Sequence, residues 1–275
     1  MEASGGASKL LYKNAMVAVC DILGFKNVLK SSPLEEVVEE DFQILSGAIY
    51  FCLHKKNPRQ HPLTYHDFQS QGRVGFAWFS DTILLYSLED TEAGYMNLIE
   101  SAAWLLSLTI TSSNYQLRIG VSYGKVYIDP ENHLYLGQPI VDAFLLQEKQ
   151  EWSGGALTGS AEERIPQEVR DGKFLAPWYL VKYPVPHKLT RKDGFTVLIN
   201  DQPTDTVPLL GRTPMMALDW TNFFHPFGFN LYWSRENHEP PPSEKRKDVI
   251  RKWRHTVEFH DKVCRSCKKV GKQRP

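Results

Sequence analysis

Two short stretches place an aspartate at the end of an apolar run: Val17-Ala18-Val19-Cys20-Asp21-Ile22-Leu23-Gly24-Phe25 and Phe76-Ala77-Trp78-Phe79-Ser80-Asp81-Thr82. Burying an unpaired carboxylate is costly, so an acid at the edge of a core strand calls for donors or a cation. Two such acids meeting at one point offer the hard oxygen ligands that a divalent cation takes. On that reading Asp21 and Asp81 form a metal-dependent phosphoryl-transfer site. Singly, each has a plainer role, Asp21 as a turn cap before Gly24 and Asp81 as a hairpin-turn residue.

Only topology can bring residues so far apart together. Ala15 to Cys20 is a continuous apolar run and reads as a buried strand, followed by a turn at Gly24 and Phe25. Ser32-Pro33-Leu34-Glu35-Glu36 opens a helix expected to reach Lys55. Polar residues 56–72 read as a loop. Arg73 to Phe79 and Thr82 to Ser87 form a hairpin with Asp81 at its turn. Asp90-Thr91-Glu92 starts a helix to Thr111. Gln116 to Tyr123 and Lys125 to Ile128 are strands broken by Gly124, and His133 to Leu136 continues that region. Pro139 to Trp152 is a helix stopped by Ser153-Gly154-Gly155. The order β-α-β-β-α-β-(β)-α is the split βαβ, ferredoxin-like arrangement, an α+β fold with helices on one face. It sets the first strand beside the hairpin, and Asp21 and Asp81 then share one sheet edge.

Further along, Phe174 to Tyr183 and Phe195 to Ile199 read as strands and Asn200 to Pro214 as loop. Trp220 to Trp233 is aromatic-rich, Pro240-Pro241-Pro242 breaks the chain, and Ser243-Glu244 opens a last helix to Cys267. The expected divisions are a disordered N-terminus over 1–11, a catalytic domain over 12–199 with its core in 12–165, and an extension over 200–275. The 275 residues hold 32 Lys+Arg and 32 Asp+Glu, a balance that argues for neither nucleic acid nor membrane as partner. No apolar run approaches a membrane span. There are four cysteines. Cys20 and Cys52 sit in apolar runs as core residues, and no secretory signal precedes them, which fits a reducing cytoplasm.

Four motifs in order, Asp21-Ile22-Leu23-Gly24-Phe25, Ser80-Asp81, Leu117-Arg118-Ile119-Gly120-Val121-Ser122-Tyr123-Gly124 and a helix opened by Gly137, resemble the catalytic domain of the class III nucleotidyl cyclases over residues 12–165. The resemblance implies two Mg²⁺ or Mn²⁺ ions held by Asp21, Asp81 and the Ile22 carbonyl. It implies in-line attack of the ribose 3′-oxygen on the α-phosphorus with loss of pyrophosphate, driven by positioning and charge neutralisation. Backbone amides from Leu23 through Gly24 and Phe25 to Lys26 would face the triphosphate. Two chains build each site in that family, so a homodimer with sites at its interface is implied.

The purine-reading half departs from the family. The adenine-reading Lys is replaced by Ala77, an Asp before the helix by Leu134, and the Asn and Arg on the helix by Val141 and Leu145. Either the chain is a silent module that binds nucleotide or dimerises, or it reads another base. Retention of both metal aspartates favours an enzyme. The pattern is similar to the pyrimidine cyclases of bacterial Pycsar antiphage systems, with the helix Gly137-Gln138-Pro139-Ile140-Val141-Asp142-Ala143-Phe144-Leu145-Leu146-Gln147-Glu148. This implies cyclic UMP from UTP, or cyclic CMP from CTP, acting on a separate effector. An added aromatic would fill the space of the smaller base, with Tyr50 as candidate against the plainer role of a half-buried helix residue. Arg118 can meet phosphate, a partner subunit or a carboxylate on the sheet. Lys26 can meet the triphosphate or only water. His255, His260, Cys264 and Cys267 have zinc-ligand types, but one helix cannot converge all four. No G-x-x-x-x-G-K-[ST] occurs.

Overall fold

The computed structural model describes residues 12–55, 72–112, 115–171, 179–188, 198–199, 202–203, 210–221 and 247–263. Residues 1–11, the expected loop over 56–71, Phe174, Phe195, Trp233, Pro240 to Pro242, Cys264 and Cys267 lie outside them, with the expectations attached to them.

The first strand, β1 (Tyr12–Leu23), lies inside the sheet, which explains its unbroken apolar run: Ala15 to Cys20 are buried on both faces. Short helices follow, α1 (Phe25–Ser31) and α2 (Leu34–Glu36), then a π turn at Val37–Asp41 and α3 (Phe42–His54). Helix therefore begins at Phe25, ahead of the expected start at Ser32. Gly24 takes the left-handed φ of 83° that lets the strand turn into helix without a loop. The hairpin β2 (Val74–Phe79) and β3 (Thr82–Ser87) is as expected, followed by α4 (Glu92–Ser112), β4 (Gln116–Asp129), β5 (Leu134–Leu136) and α5 (Gln138–Lys149). Next come β6 (Gly154–Leu157), α6 (Gly159–Glu162), α7 (Gln167–Arg170), β7 (Leu180–Lys188), the small pair β8 (Leu198–Ile199) and β9 (Gln202–Pro203), β10 (Leu210–Leu218) and α8 (Lys247–Val263).

One sheet runs in the order β2-β3-β1-β4-β6-β10-β7, with β5 added to β4. Its first four strands are antiparallel and have the ferredoxin-like order, while β6 joins β4 in parallel. Alternate residues of β1 face opposite layers. Met16, Ala18, Cys20 and Ile22 pack with Leu45 and Ile49 of α3 and Leu98 and Ala102 of α4. Ala15, Val17 and Val19 pack instead with Ala143 of α5. Helices thus cover both faces, against the expectation of one. Gly120 makes the second layer possible: a Cβ there would lie 2.0 Å from the Ala143 carbonyl oxygen, so α5 rests directly on the β4 backbone.

Three other expectations are corrected. Strand β4 passes through Gly124 unbroken, paired to Ala15, because the missing side chain admits Pro139 of α5 (2.9 Å from an ideal Cβ). The helix after Gly137 stops at Lys149, and Gly154-Gly155 form strand rather than a helix stop, leaving room for the Trp152 ring and Leu218. Pro214, expected in a loop, sits in β10 opposite Pro184 of the edge strand β7. The β6 ladder reaches only Ala217, so Pro214 breaks no ladder on that side. With β10 between β6 and β7, the segment after residue 199 contributes to the same sheet. Cys20 and Cys52 are buried and free, as expected. Among the described residues no helix is long and apolar enough to cross a membrane.

Candidate functional site

The β1–β3 ladder ends with Asp21 opposite Thr82, and one step further the Ile22 amide donates to the Asp81 carbonyl at 2.9 Å. The two aspartates are therefore near neighbours, their α-carbons on the order of 6 Å apart given the spacing of paired strands. Asp21 continues the face of Val17 and Val19, and lies where the cover of α5 ends. Asp81 sits just outside the ladder, in the two-residue turn of the hairpin. The turn is tied down from the helix side. Ser80 takes a left-handed φ of 55°, and its carbonyl accepts the Trp78 indole N–H at 2.9 Å. Trp78 stacks on Phe42 at 4.6 Å, and Phe42 meets Phe25 at 5.6 Å. That aromatic chain fixes the hairpin tip against the start of α1, where Phe25 is buried and Lys26 is exposed.

Cross-strand pairing runs a single row over four strands: Phe79 faces Thr82, Thr82 faces Asp21, and Asp21 faces Arg118. Paired residues share a face, so all four project to the α5 side. Arg118 donates to Asp21 Oδ2 at 2.6 Å, with the two side chains 11% and 21% exposed. Its other nitrogen reaches the carbonyls of Glu148 and Gln150, at 3.2 and 3.4 Å, where the α5 C-terminus leaves acceptors open. Arg118 is thus both ion pair and helix cap. Cys20 beside Asp21 is no nucleophile, because burial, and after it the Asp21 charge, push its thiol up.

The donor set suits a hard cation. Asp21 keeps Oδ1 open, the Asp81 carboxylate accepts no hydrogen bond among the described residues, and the Ile22 carbonyl lies between them in the chain. Among the described residues no three His, Cys, Asp or Glu side chains cluster as a complete cage. A cation here would fill its shell with water or substrate oxygens, as Mg²⁺ does.

Tyr50 is not brought to this edge. It lies eight positions along α3 from Phe42, about 12 Å at the helical rise, beside His54 at 4.5 Å. The end of that helix bonds to the start of β2, the far end from Asp81, through the Leu53 carbonyl and Arg73 amide. The residue that the sequence reading passes over is Phe79, 84% exposed at the hairpin tip in the row of Asp21. Strand alternation outward from Ala77 would have found it. His255 and His260 lie on α8, packed against Glu151 and Trp220.

No protein-family model matches the sequence, and no curated protein matches it. Among solved structures the chain is similar to the guanylate cyclase domain of RhGC from Catenaria anguillulae in complex with GTP, at 12% identity over 75% of this chain and 96% of that one, TM-score 0.47. It is similar to the adenylyl cyclase CyaB from P. aeruginosa, at 10% identity over 76% and 95%, TM-score 0.46. A third is the catalytic core of a rhodopsin-guanylyl cyclase with converted specificity in complex with ATPalphaS, at 12% identity over 75% and 95%, TM-score 0.45.

Proposed function

We propose that this chain is a nucleotidyl cyclase of the class III kind. Its substrate is a pyrimidine nucleoside triphosphate, UTP ahead of CTP, and its product the 3′,5′-cyclic monophosphate with release of pyrophosphate. The product would act as a second messenger on a cyclic-nucleotide effector in antiphage defence. The observation that carries the reading is the end of the β1–β3 ladder, which makes neighbours of Asp21 and Asp81.

The roles follow from position. Asp21, Asp81 and the Ile22 carbonyl would hold Mg²⁺ or Mn²⁺, which supplies charge neutralisation and a more acidic ribose hydroxyl when bound. The Phe25 and Lys26 amides open α1 without an intrahelical partner, on the same side of the turn, and suit phosphate oxygens. Phe79 offers an exposed ring in the row of Asp21, and Ala77, one step back on the same face, leaves space. A base stacked on that ring gains from the area buried, whichever base it is. The preference for UTP rests on the family resemblance.

A second copy of the chain fits the outer face of α5 and β5. Leu134, Leu136, Val141, Phe144 and Leu145 are all between 43% and 62% exposed there. These include the three places where cyclases carry substrate groups on that hairpin and helix. A patch of this kind marks an interface, and a homodimer would cover it.

Incubating the protein with each of the four common nucleoside triphosphates and Mn²⁺ tests the reading. A cyclic product from UTP or CTP is expected. Cyclic product from ATP or GTP alone would refute the base assignment, and no product from any of the four would make the chain a silent nucleotide-binding or dimerisation module.

A further inference from the structure

Residues Glu148–Ser153, the end of α5 and its link to β6, are held from two sides and steadied along β7, where the Pro186 carbonyl accepts the Glu151 amide at 2.9 Å and Lys188 Nζ donates to the Glu148 carbonyl at 3.1 Å. On one side lies Arg118, bonded to the Glu148 and Gln150 carbonyls and to Asp21. On the other lies the C-terminal helix α8. The Glu151 carboxylate is 1% exposed and takes Arg251 Nε at 3.0 Å and Nη2 at 2.7 Å. His255 Nδ1 meets the Glu151 carbonyl at 2.7 Å. The Thr256 hydroxyl accepts the Ser153 amide at 2.8 Å and donates to the Ser153 carbonyl at 3.2 Å. Phe259 sets its edge on the Trp152 ring at 4.9 Å. Between the two sides the segment is stiff: Gln150 is fully buried, its amide donates to the Ile119 carbonyl at 2.8 Å, and its side-chain carbonyl accepts the Trp152 indole at 2.6 Å.

We propose that α8 is a positioning element of the candidate site, clamping Glu148–Ser153 so that Arg118, and through it the Asp21 carboxylate, is held in place. A buried carboxylate that loses its arginine must turn to water or to its other cation, here Lys188 at 3.9 Å from Oε1, so releasing α8 shifts Glu151 toward β7 and with it the carbonyls that carry Arg118. Arg118 then has only Asp21 to hold it. Small misplacements of a reacting constellation are expensive in rate. The consequence for turnover rests on the cyclase reading, whereas the clamp itself does not.

The test uses the full chain with Arg251→Met. Should that variant fold poorly, Glu151→Gln with Arg251→Met removes the stranded charge along with its partner. The first measurement is NMR of the arginine guanidinium groups, the Arg118 signal being identified by its loss in Arg118→Lys. Rotation about Nε–Cζ of Arg118 should quicken about tenfold or more once the clamp is cut, as loss of two of its three acceptors implies. The second is a double-mutant cycle, in which Arg251→Met lowers kcat about tenfold with Arg118 present and less than about twofold in the Arg118→Lys background. Unchanged Arg118 rotation in a folded clamp variant, or rate losses that multiply independently, would overturn the proposal. If the wild-type chain turns over no nucleotide, the NMR result alone decides the clamp and the cyclase reading fails separately.

Discussion

Asp21 and Asp81 should respond differently to the same substitution. The Asp81 carboxylate has no partner among the described residues, and what holds its hairpin is its backbone carbonyl on the Ile22 amide. Asparagine keeps that bond and suits a turn, so Asp81→Asn should change stability by no more than about 0.5 kcal/mol. Asp21→Asn removes the charge opposite Arg118, where the two side chains are only 21% and 11% exposed. An exposed pair contributes about 0–1 kcal/mol and breaking a buried one costs about 3–5, so this part-buried pair should cost about 2 kcal/mol. For a chain of this size that lowers Tm by about 4–8 °C. Both variants should lose turnover by about a thousandfold or more, equivalent to about 4 kcal/mol of transition-state stabilisation. Thermal unfolding, Mn²⁺ titration and nucleotide turnover of the two proteins side by side are the assay. Asp81→Asn melting as low as Asp21→Asn would make Asp81 structural. Asp81→Asn retaining a tenth of wild-type turnover would refute the metal role.

Phe79→Ala should raise KM for the preferred pyrimidine triphosphate about tenfold, the loss of one stacked base, with Tm unchanged; steady-state kinetics on UTP and CTP read it. If the proposed homodimer forms through the apolar α5 patch, Phe144→Glu should leave a monomer by sedimentation velocity, since it puts a charge there. Gly120→Ala should cost about 3 kcal/mol in urea unfolding, because the added methyl would overlap the Ala143 carbonyl at 2.0 Å. Hydrogen bonds from Arg212 and then Lys262 pull Glu258 down from 4.5 to about 2. Folding holds its proton off, so its stabilisation of α8 is present above about pH 4.5 and is lost as pH falls toward 2. Tryptophan fluorescence should report loosening in that window, and Arg212→Met, which leaves only Lys262 on Glu258, should weaken the acid dependence.

The elements around the two acids are legible because local signals agree there. A buried apolar run, a hairpin with a polar turn and a capped helix in sequence leave few topologies, and β1 beside β3 follows from the order. Glycine is the weak guide. Local pattern reads Gly124 as a break and Gly154-Gly155 as a helix stop, yet each lies in a strand, and each is small because a neighbour presses on it: Pro139, the Trp152 ring and Leu218. Close approach is a tertiary fact that leaves the same local signature as a turn. The distance of Tyr50 from the Asp21–Asp81 edge is hidden for a related reason: the family pattern gives no measure of how far along α3 it lies from the hairpin.

In the C-terminal third the last helix and a strand near Tyr183 are legible, but their placement is not, because it is made of long-range pairs. Arg251 and Glu151 are bound across 100 positions of chain, and Thr256 and Ser153 across 103. Neither periodicity nor turn chemistry carries that information, and prolines in β7 and β10 argue locally against strand. Arg118 shows the same limit inside the site. Sequence leaves it between phosphate ligand, partner contact and ion pair, and register decides where it starts: opposite Asp21, with Nη1 committed to the end of α5. A guanidinium there offsets the charge of one of two carboxylates that the ladder end makes neighbours. Among the described residues it leaves Asp21 one free oxygen and Asp81 both, so under the proposed metal role the two acids would meet a cation unequally. The hairpin acid would be the freer ligand, and the strand acid the oriented one.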